Sequence, residues 1–130
     1  MTNTGNDWMI SEVVDLPGVR HALVLSMDGM VKHRSPDLAD PDAEKIAAAA
    51  SGLHSLAAGI GELMGSGEIT QQMIEWSGHY LFLRSSGDGS RLAVLTDRNI
   101  DPGLIASQMV LQIKRFGEHM ATPARGQSTP

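Results

Sequence analysis

Ile46-Ala-Ala-Ala-Ala-Ser-Gly-Leu-His-Ser-Leu-Ala-Ala-Gly-Ile-Gly61 contains no Asp, Glu, Lys or Arg, although the rest of the chain is well supplied with charge. This stretch predicts the centre of a helix that runs from about Pro41 to Met64. Asp40 can cap its N-terminus, and Pro41 suits the first helical position because its φ is fixed and it lacks an N–H donor. Gly65 and Gly67 are expected to end the helix. A long helix with a charge-free centre therefore lies in the middle of the chain.

Two stripes with helical spacing run along this helix, one of large apolar residues and one of small residues. They are Ile46, Leu53, Leu56, Ile60 and Leu63, and beside them Ala47, Ala50, Ser51, Ala58 and Gly61. One sheet can cover one side of such a helix, and a chain of 130 residues has little left to cover the other. The helix therefore predicts a second protein surface.

Glycines within the same helix make the same prediction. Gly52, Gly59 and Gly61 each cost about 1 kcal/mol of helix propensity relative to Ala, so close backbone packing is expected to recover that cost. Insertion into a membrane is not expected, because the uncharged run is shorter than the ~20 apolar residues that span a bilayer.

Composition limits the class of protein. The length predicts one domain over residues 7–120, with disordered ends at 1–6 and 121–130. A net charge of −5 with scattered Lys and Arg argues against sequence-independent binding of nucleic acid. Cysteine is absent and residues 1–7 lack the pattern of an export signal, so a cytoplasmic protein is expected.

The rest of the chain alternates strand and turn patterns. In order, it predicts a short helix at 7–15, strands at 19–26 and 30–35, the long helix, strands at 68–76, 79–85 and 91–96, and a helix from 102 to about 120. Asp28-Gly29 predicts a two-residue hairpin turn of type I′ between the first two strands.

Polarity and turn length predict the strand order. The segments 22–25, 80–83 and 92–95 are apolar on both faces, which indicates central strands of a sheet that is covered on both sides. The other two strands carry polar residues and belong at the edges. Tight turns join strands one to two, three to four and four to five, so the order is 2-1-5-4-3. The fold class is α/β of the α+β type: a three-layer sandwich whose five-stranded antiparallel sheet has the long helix on one face and the two terminal helices on the other.

One edge of this sheet lacks the usual protection against strand addition. Glu68–Trp76 contains neither Pro nor Lys, whereas the opposite edge carries Lys32, Arg34 and Pro36. This predicts a two-fold homodimer that pairs the third strands and packs the long helices together. The residues expected in the dimer or partner interface are Ala50, Leu53, His54, Leu56, Ala57, Ile60, Gly61, Ile69, Gln71 and Met73.

These segments also resemble a known family. Leu16-Pro17-Gly18-Val19, then Ala22-Leu23-Val24-Leu25-Ser26-Met27-Asp28-Gly29, the Ala-rich helix and Leu95-Thr96-Asp97 before an Asp-Pro-Gly helix start are similar to the roadblock / dynein light chain family. The resemblance covers residues 7–120 and is strongest to bacterial members encoded beside small Ras-like GTPases in conservon operons. It implies the profilin-like sandwich described above, homodimers with a continuous sheet, and binding of a Ras-like GTPase.

Some members of that family act as GTPase-activating proteins or within exchange-factor complexes, but the family has no invariant catalytic group to match here. An arginine supplied in trans is one route to GTPase activation. Arg20, Arg84, Arg91 and Arg98 lie near strand ends or loops, where solvated charge is the commoner role.

No catalytic, cofactor-binding or metal-binding residue is assigned from the sequence. The five histidines have no metal-ligand spacing, and Walker A and G-x-S-x-G motifs are absent. His54, inside the charge-free helix, is expected to be a hydrogen-bonded interface or core residue, with pH sensing the alternative.

The leading hypothesis is a non-catalytic homodimeric adaptor or regulator of a small Ras-like GTPase, acting on its nucleotide cycle or localisation in bacterial signalling. The alternatives are a GTPase-activating protein that acts in trans and a small-ligand-sensing domain of related fold. Against the second stands the lack of a convergent set of polar residues on inward faces.

Overall fold

The computed structural model describes the backbone of residues 7–128 and side chains from Ile10 to Glu118. The elements in chain order are α1 (Asp7–Val14), β1 (Val19–Leu25), β2 (Val31–Arg34), α2 (Asp40–Met64), β3 (Gln71–Glu75), β4 (His79–Ser85), β5 (Arg91–Asp97) and α3 (Pro102–Ser128).

The predicted helices and strands are present. Their bounds differ most from the prediction at the start of β3 and the end of α3. β3 begins at Gln71 rather than Glu68. α3 ends at Ser128 rather than near Met120, so the helix enters the segment 121–130 for which the sequence predicts disorder. The predicted disorder of residues 1–6 lies outside the described part of the chain.

The sheet confirms the predicted strand order, β2-β1-β5-β4-β3. β5 lies in the centre, where Ala93 pairs with Leu23 of β1 and with Leu83 of β4 in antiparallel register. β2 and β3 each pair with one neighbour, so the two strands with mixed polarity occupy the edges.

Each face of the sheet has its own apolar core, because successive strand residues point to opposite faces. On one face, Val24, Phe82 and Val94 pack with Ile10 of α1 and Met109 of α3. The other face packs against α2 through a second cluster that includes Leu23, Leu25, Leu83, Ala93, Ala43, Ala47 and Ala50. The three-layer arrangement with α2 alone on one side is therefore as predicted.

The start of α2 differs from the prediction. Ala39, not Asp40, occupies the N-cap position and makes no side-chain capping bond. The Asp40 carboxylate instead accepts a hydrogen bond of 2.6 Å from Arg34 Nη2 at the end of β2. Asp40 thus ties α2 to the edge strand, while its charge still lies near the positive end of the helix dipole.

The end of α2 is as predicted. Gly65 adopts the left-handed conformation at φ 66°, its N–H bonds the Glu62 carbonyl, and the Ser66 N–H bonds the Gly61 carbonyl. This pair of bonds is the Schellman motif, which satisfies carbonyls that a helix end leaves free.

The turn between β1 and β2 is not of type I′, because that turn needs positive φ at both central residues and Gly29 alone has it, at 85°. The Gly29 N–H bonds the Ser26 carbonyl, and the Ser26 N–H bonds the Met30 carbonyl. These bonds define a three-residue loop that ends in a glycine bulge. Asp28-Gly29 is compatible with both turns, so the dipeptide alone did not distinguish them.

The loop from β4 to β5 repeats that geometry. Ser86, Asp88 and Gly89 take the places of Ser26, Asp28 and Gly29, with Gly89 at φ 91°. The two loops lie side by side, since a Cβ on Gly89 would be 3.1 Å from Met27 Sδ. One end of the sheet is thus formed by two similar Ser-x-Asp-Gly loops.

Asp88 is held in its loop by hydroxyl donors, and its pKa gives a testable prediction. Burial would raise that pKa, but hydrogen bonds from Ser86 and Ser90 outweigh burial and lower it from 3.8 to about 2. Because the folded pKa lies below the unfolded one, the loop's contribution to stability is present above pH ~4 and is lost as pH falls towards 2. We expect the double variant Ser86→Ala, Ser90→Ala to raise the Asp88 pKa towards 3.8, as measured by carboxyl ¹³C NMR titration.

Ser107→Ala on α3 is the control for this titration, since the Ser107 hydroxyl bonds the Leu104 carbonyl and not Asp88. An Asp88 pKa that stays near 2 in the double variant contradicts the assignment of the shift to the two hydroxyl groups.

Candidate protein-interaction surface and adjacent cavity

The large apolar residues in the second half of α2 are exposed. Leu56, Ile60, Leu63 and Met64 are 74%, 65%, 87% and 74% exposed, and Leu53 at the start of this row is partly buried. We call Leu53, Leu56, Ile60 and Leu63 the apolar flank of α2. A soluble chain that exposes a contiguous apolar row of this kind normally covers it with a partner.

The small-residue row faces the chain's own sheet. Ala47 and Ala50 are 0% and 1% exposed and belong to the core beneath α2. Ala50 was expected in the dimer or partner interface, but it is covered within the single chain, and we do not retain it there. The small side chain lets the helix backbone approach the sheet closely.

The glycines of α2 do not find close packing within the chain. A Cβ built on Gly52 or Gly59 meets no described atom within 4 Å, and on Gly61 it lies 3.6 Å from the Gly67 carbonyl oxygen. Packing within the described part of the subunit therefore does not offset the lower helix propensity of Gly52 and Gly59. Both glycines are spaced to lie on the outward side of α2, where another backbone can approach.

The edge strand beside α2 is open. β3 pairs with β4 and has no second neighbour in the described sheet. Its Met73 is 48% exposed, while the Gln71 side-chain oxygen accepts a hydrogen bond of 2.7 Å from Arg84. The free N–H and C=O groups of β3 form a template for a further strand.

The sheet face that packs on α2 is incompletely covered at the end opposite the two Ser-x-Asp-Gly loops. A cavity of about 520 Å³ lies there, lined by Arg20, His21, Trp76, His79 and Leu95. Trp76, just after β3, is 48% exposed although it is among the largest apolar side chains. The apolar flank, the edge strand and this uncovered sheet end are three features that a second protein surface would cover.

A larger cavity of about 980 Å³ lies at the other end of α2, against the loop from β4 to β5. Polar groups converge on it: His54, Ser85, Ser86 and Arg91 line it together with Glu62 and Glu68. The sequence offered no convergent polar set on inward faces, and the structure assembles one. The residues are far apart in sequence and polar residues are common near loops, so no spacing pattern marked them.

Two groups in this cavity interact electrostatically. Burial, and then the positive charge of Arg91, lower the pKa of His54. His54 is therefore neutral near pH 7 and lines a cavity rather than pairing with a carboxylate.

Two of the residues predicted to lie in the dimer or partner interface, His54 and Ile69, line this cavity. Two others, Ala57 and Gly61, are partly buried.

The arginines considered for action in trans all have contacts within the chain. Arg20 pairs with Asp97 at 3.2 Å, and Arg84 bonds Gln71. Arg98 donates to Tyr80 Oη and pairs with Glu75, both at 2.6 Å, and lies over the Tyr80 ring. Arg91 is 8% exposed.

Within the part of the chain that the structure describes, no group of three or more His, Cys, Asp or Glu residues is placed to hold a metal ion. By length and composition α2 is apolar enough to cross a membrane. Its Ala43, Ala47 and Ala50 are, however, packed on the sheet.

The fold and the open surfaces define a class: an α+β sandwich with a 2-1-5-4-3 sheet whose long helix exposes an apolar flank beside an open edge strand. The chain belongs to the Roadblock/LC7 family, because the Roadblock/LC7 domain model matches residues 6–96. No curated protein matches the chain significantly.

Solved structures agree. A Roadblock/LC7 domain from Streptomyces avermitilis is 33% identical, with 88% of this chain and 97% of that chain covered and a TM-score of 0.82. A second such domain from that organism is 36% identical, with 88% and 99% covered and a TM-score of 0.71. MglB of Myxococcus xanthus is 15% identical, with 94% and 99% covered and a TM-score of 0.83, and so shares the fold.

Proposed function

We propose that the protein is a non-catalytic homodimeric adaptor in the bacterial cytoplasm that binds a small Ras-like GTPase and modulates its nucleotide cycle or localisation. Family membership supports a GTPase-associated regulator in general. The observation that carries the finer proposal is the exposure of the apolar flank, with Leu56 at 74%, beside the open edge of β3.

The dimer in this proposal pairs β3 with β3 of a second copy and covers the apolar flank. Strand pairing satisfies the free backbone groups of β3, and burial of Leu56, Ile60 and Leu63 supplies a hydrophobic driving force. Gly52 allows the backbones of two helices to approach closely. A two-fold axis makes both contacts at once, because the same patch is used on both subunits.

A regulator rather than an enzyme is proposed because the chemistry of hydrolysis would come from the GTPase. Roadblock/LC7 proteins are generally non-catalytic regulators. The intramolecular partners of Arg20, Arg84 and Arg98 must be given up before any of these arginines can reach a bound nucleotide. That cost disfavours the alternative in which this chain supplies an arginine in trans.

Purified Ras-like GTPases encoded near this protein provide the test. We expect one of them to bind the wild-type protein, with an affinity that differs between the GDP-bound and GTP-bound forms, as measured by calorimetry. GTP hydrolysis is then followed with and without this protein and with Arg20→Ala and Arg98→Ala.

We expect both arginine variants to leave the rate of hydrolysis at the value obtained with wild-type protein. The absence of binding by every such GTPase contradicts the proposed function. Acceleration that is lost in one arginine variant would instead support the GTPase-activating alternative.

A further inference from the structure

The floor of the 980 Å³ cavity contains a buried cation that forms no ion pair among the side chains described. Arg91 is 8% exposed, although arginine is rarely buried unless it is paired. Its Nη1 donates a long hydrogen bond of 3.4 Å to the Met27 carbonyl, and its Nε has no hydrogen-bond partner among the described residues. Neither observation supplies a negative charge, so the guanidinium retains capacity for an anion.

The charge of Arg91 acts inside the cavity. It lowers the pKa of His54 after the larger effect of burial, which shows that its positive field reaches the helix side of the cavity. A neutral imidazole can donate one hydrogen bond and accept another without adding charge. Ser85 adds a hydroxyl group to the same lining.

The rim has the opposite charge. Glu62 at the end of α2 and Glu68 before β3 line the cavity, and both are exposed. Two carboxylates at the entrance repel a ligand that carries two or more negative charges, but they tolerate a neutral far end and attract a cationic one. Apolar lining from Met27, Ala58 and Ile69 suits a short hydrocarbon body.

The cavity is separate from the surface assigned to the dimer. His54 and Ala58 line the cavity, and each precedes a residue of the apolar flank, Leu56 and Ile60, by two positions. Two positions correspond to about 200° around an α-helix, so this cavity lining and the apolar flank lie on opposite sides of α2. A second copy seated on the apolar flank therefore leaves the cavity accessible.

From these observations we infer that the cavity is a binding site for a small monocarboxylate, with the Arg91 guanidinium receiving the carboxylate and Glu62 and Glu68 at the entrance selecting against a second negative charge. Guanidinium and carboxylate groups match as a planar fork, which gives orientation as well as attraction. This site does not depend on the proposed binding of a GTPase.

The full-length protein is titrated with four probes: butyrate, 4-aminobutyrate, succinate and inorganic phosphate. Binding is followed by ¹H–¹⁵N NMR shifts of the backbone amides of His54, Gly87 and Arg91. We expect butyrate and 4-aminobutyrate to bind saturably with shifts confined to the cavity, and succinate and phosphate to bind at least about fivefold more weakly because of rim repulsion.

Variants assign the site to its residues. Arg91→Gln should weaken butyrate binding by at least about tenfold, and Arg91→Lys by less, because Lys keeps the charge but loses the fork. Glu62→Gln should reduce the difference in affinity between butyrate and succinate. Arg20→Gln, which removes an exposed arginine at the other end of the sheet, should change neither affinity. Circular dichroism melts establish which variants are folded, and Arg91→Lys provides the comparison if Arg91→Gln is not.

Three outcomes overturn the inference: no saturable binding of either monocarboxylate, equal or tighter binding of phosphate or succinate, or unchanged butyrate binding in folded Arg91 variants. Because none of these measurements includes a GTPase, their outcome does not depend on whether the proposed function is correct.

Discussion

Leu56→Glu is expected to convert a dimer into a monomer. Leu56 is 74% exposed in the single subunit, so the substitution leaves the subunit's own core intact. In the proposed dimer the new carboxylate would be buried twice without a partner, once in each copy, at a cost of about 3–5 kcal/mol. That free energy corresponds to a dissociation constant raised by at least about 100-fold. Multi-angle light scattering across a concentration series measures the dissociation constant of the dimer.

Ser55→Glu is the matched control, because it adds the same charge at a neighbouring exposed position. One residue is about 100° around the helix, and Ser55 lies on the cavity side rather than the apolar flank. We expect this variant to remain dimeric. A wild-type protein that is monomeric throughout, or a Leu56→Glu variant that dimerises like wild type, contradicts the assignment of the apolar flank to the interface.

The strand order could be predicted from the sequence because it follows from the energetics of individual strands. β1, β4 and β5 are apolar on both faces, and such strands are stable only where both faces are covered. Short turns then limit which strands can be neighbours. The same logic identified α2 as a helix with two different apolar sides, since 3.6-residue periodicity places large and small residues on separate rows.

The sequence was less informative where a property depends on two distant segments. Periodicity identified the row that includes Ala50 but did not indicate whether the sheet or a partner covers it. From the sequence, Arg91 is expected to be a solvated arginine at a strand end. In the structure it is buried, because α2 and the loop from β4 to β5 lie beside it. Asp40 is a residue type that commonly caps helices. Its carboxylate instead pairs with the guanidinium of Arg34, which lies close to it in the structure.

Ala50→Glu is expected to destabilise the subunit itself, by about 3–5 kcal/mol, rather than its association. Ala50 is 1% exposed and lies against the sheet with Ala47 and Leu83, so a carboxylate there has neither water nor a cation. Urea denaturation measures the free energy of unfolding, and making the substitution in the Leu56→Glu background removes any contribution from dimerisation. Ala49→Glu is the control: residue 49 is exposed and one position away.

The pH dependence separates burial of a charge from mere steric crowding at Ala50. Burial raises the pKa of the introduced glutamate above its unfolded value of about 4.3, so its penalty is small at pH 4 and grows as pH rises through that value towards the folded pKa. Steric overlap would cost the same at both pH values. We therefore expect the stability difference between Ala50→Glu and wild type to be clearly larger at pH 7 than at pH 4, and that of Ala49→Glu to stay small at both. A pH-independent difference for Ala50→Glu would contradict the assignment of its cost to a buried charge and would indicate steric overlap instead.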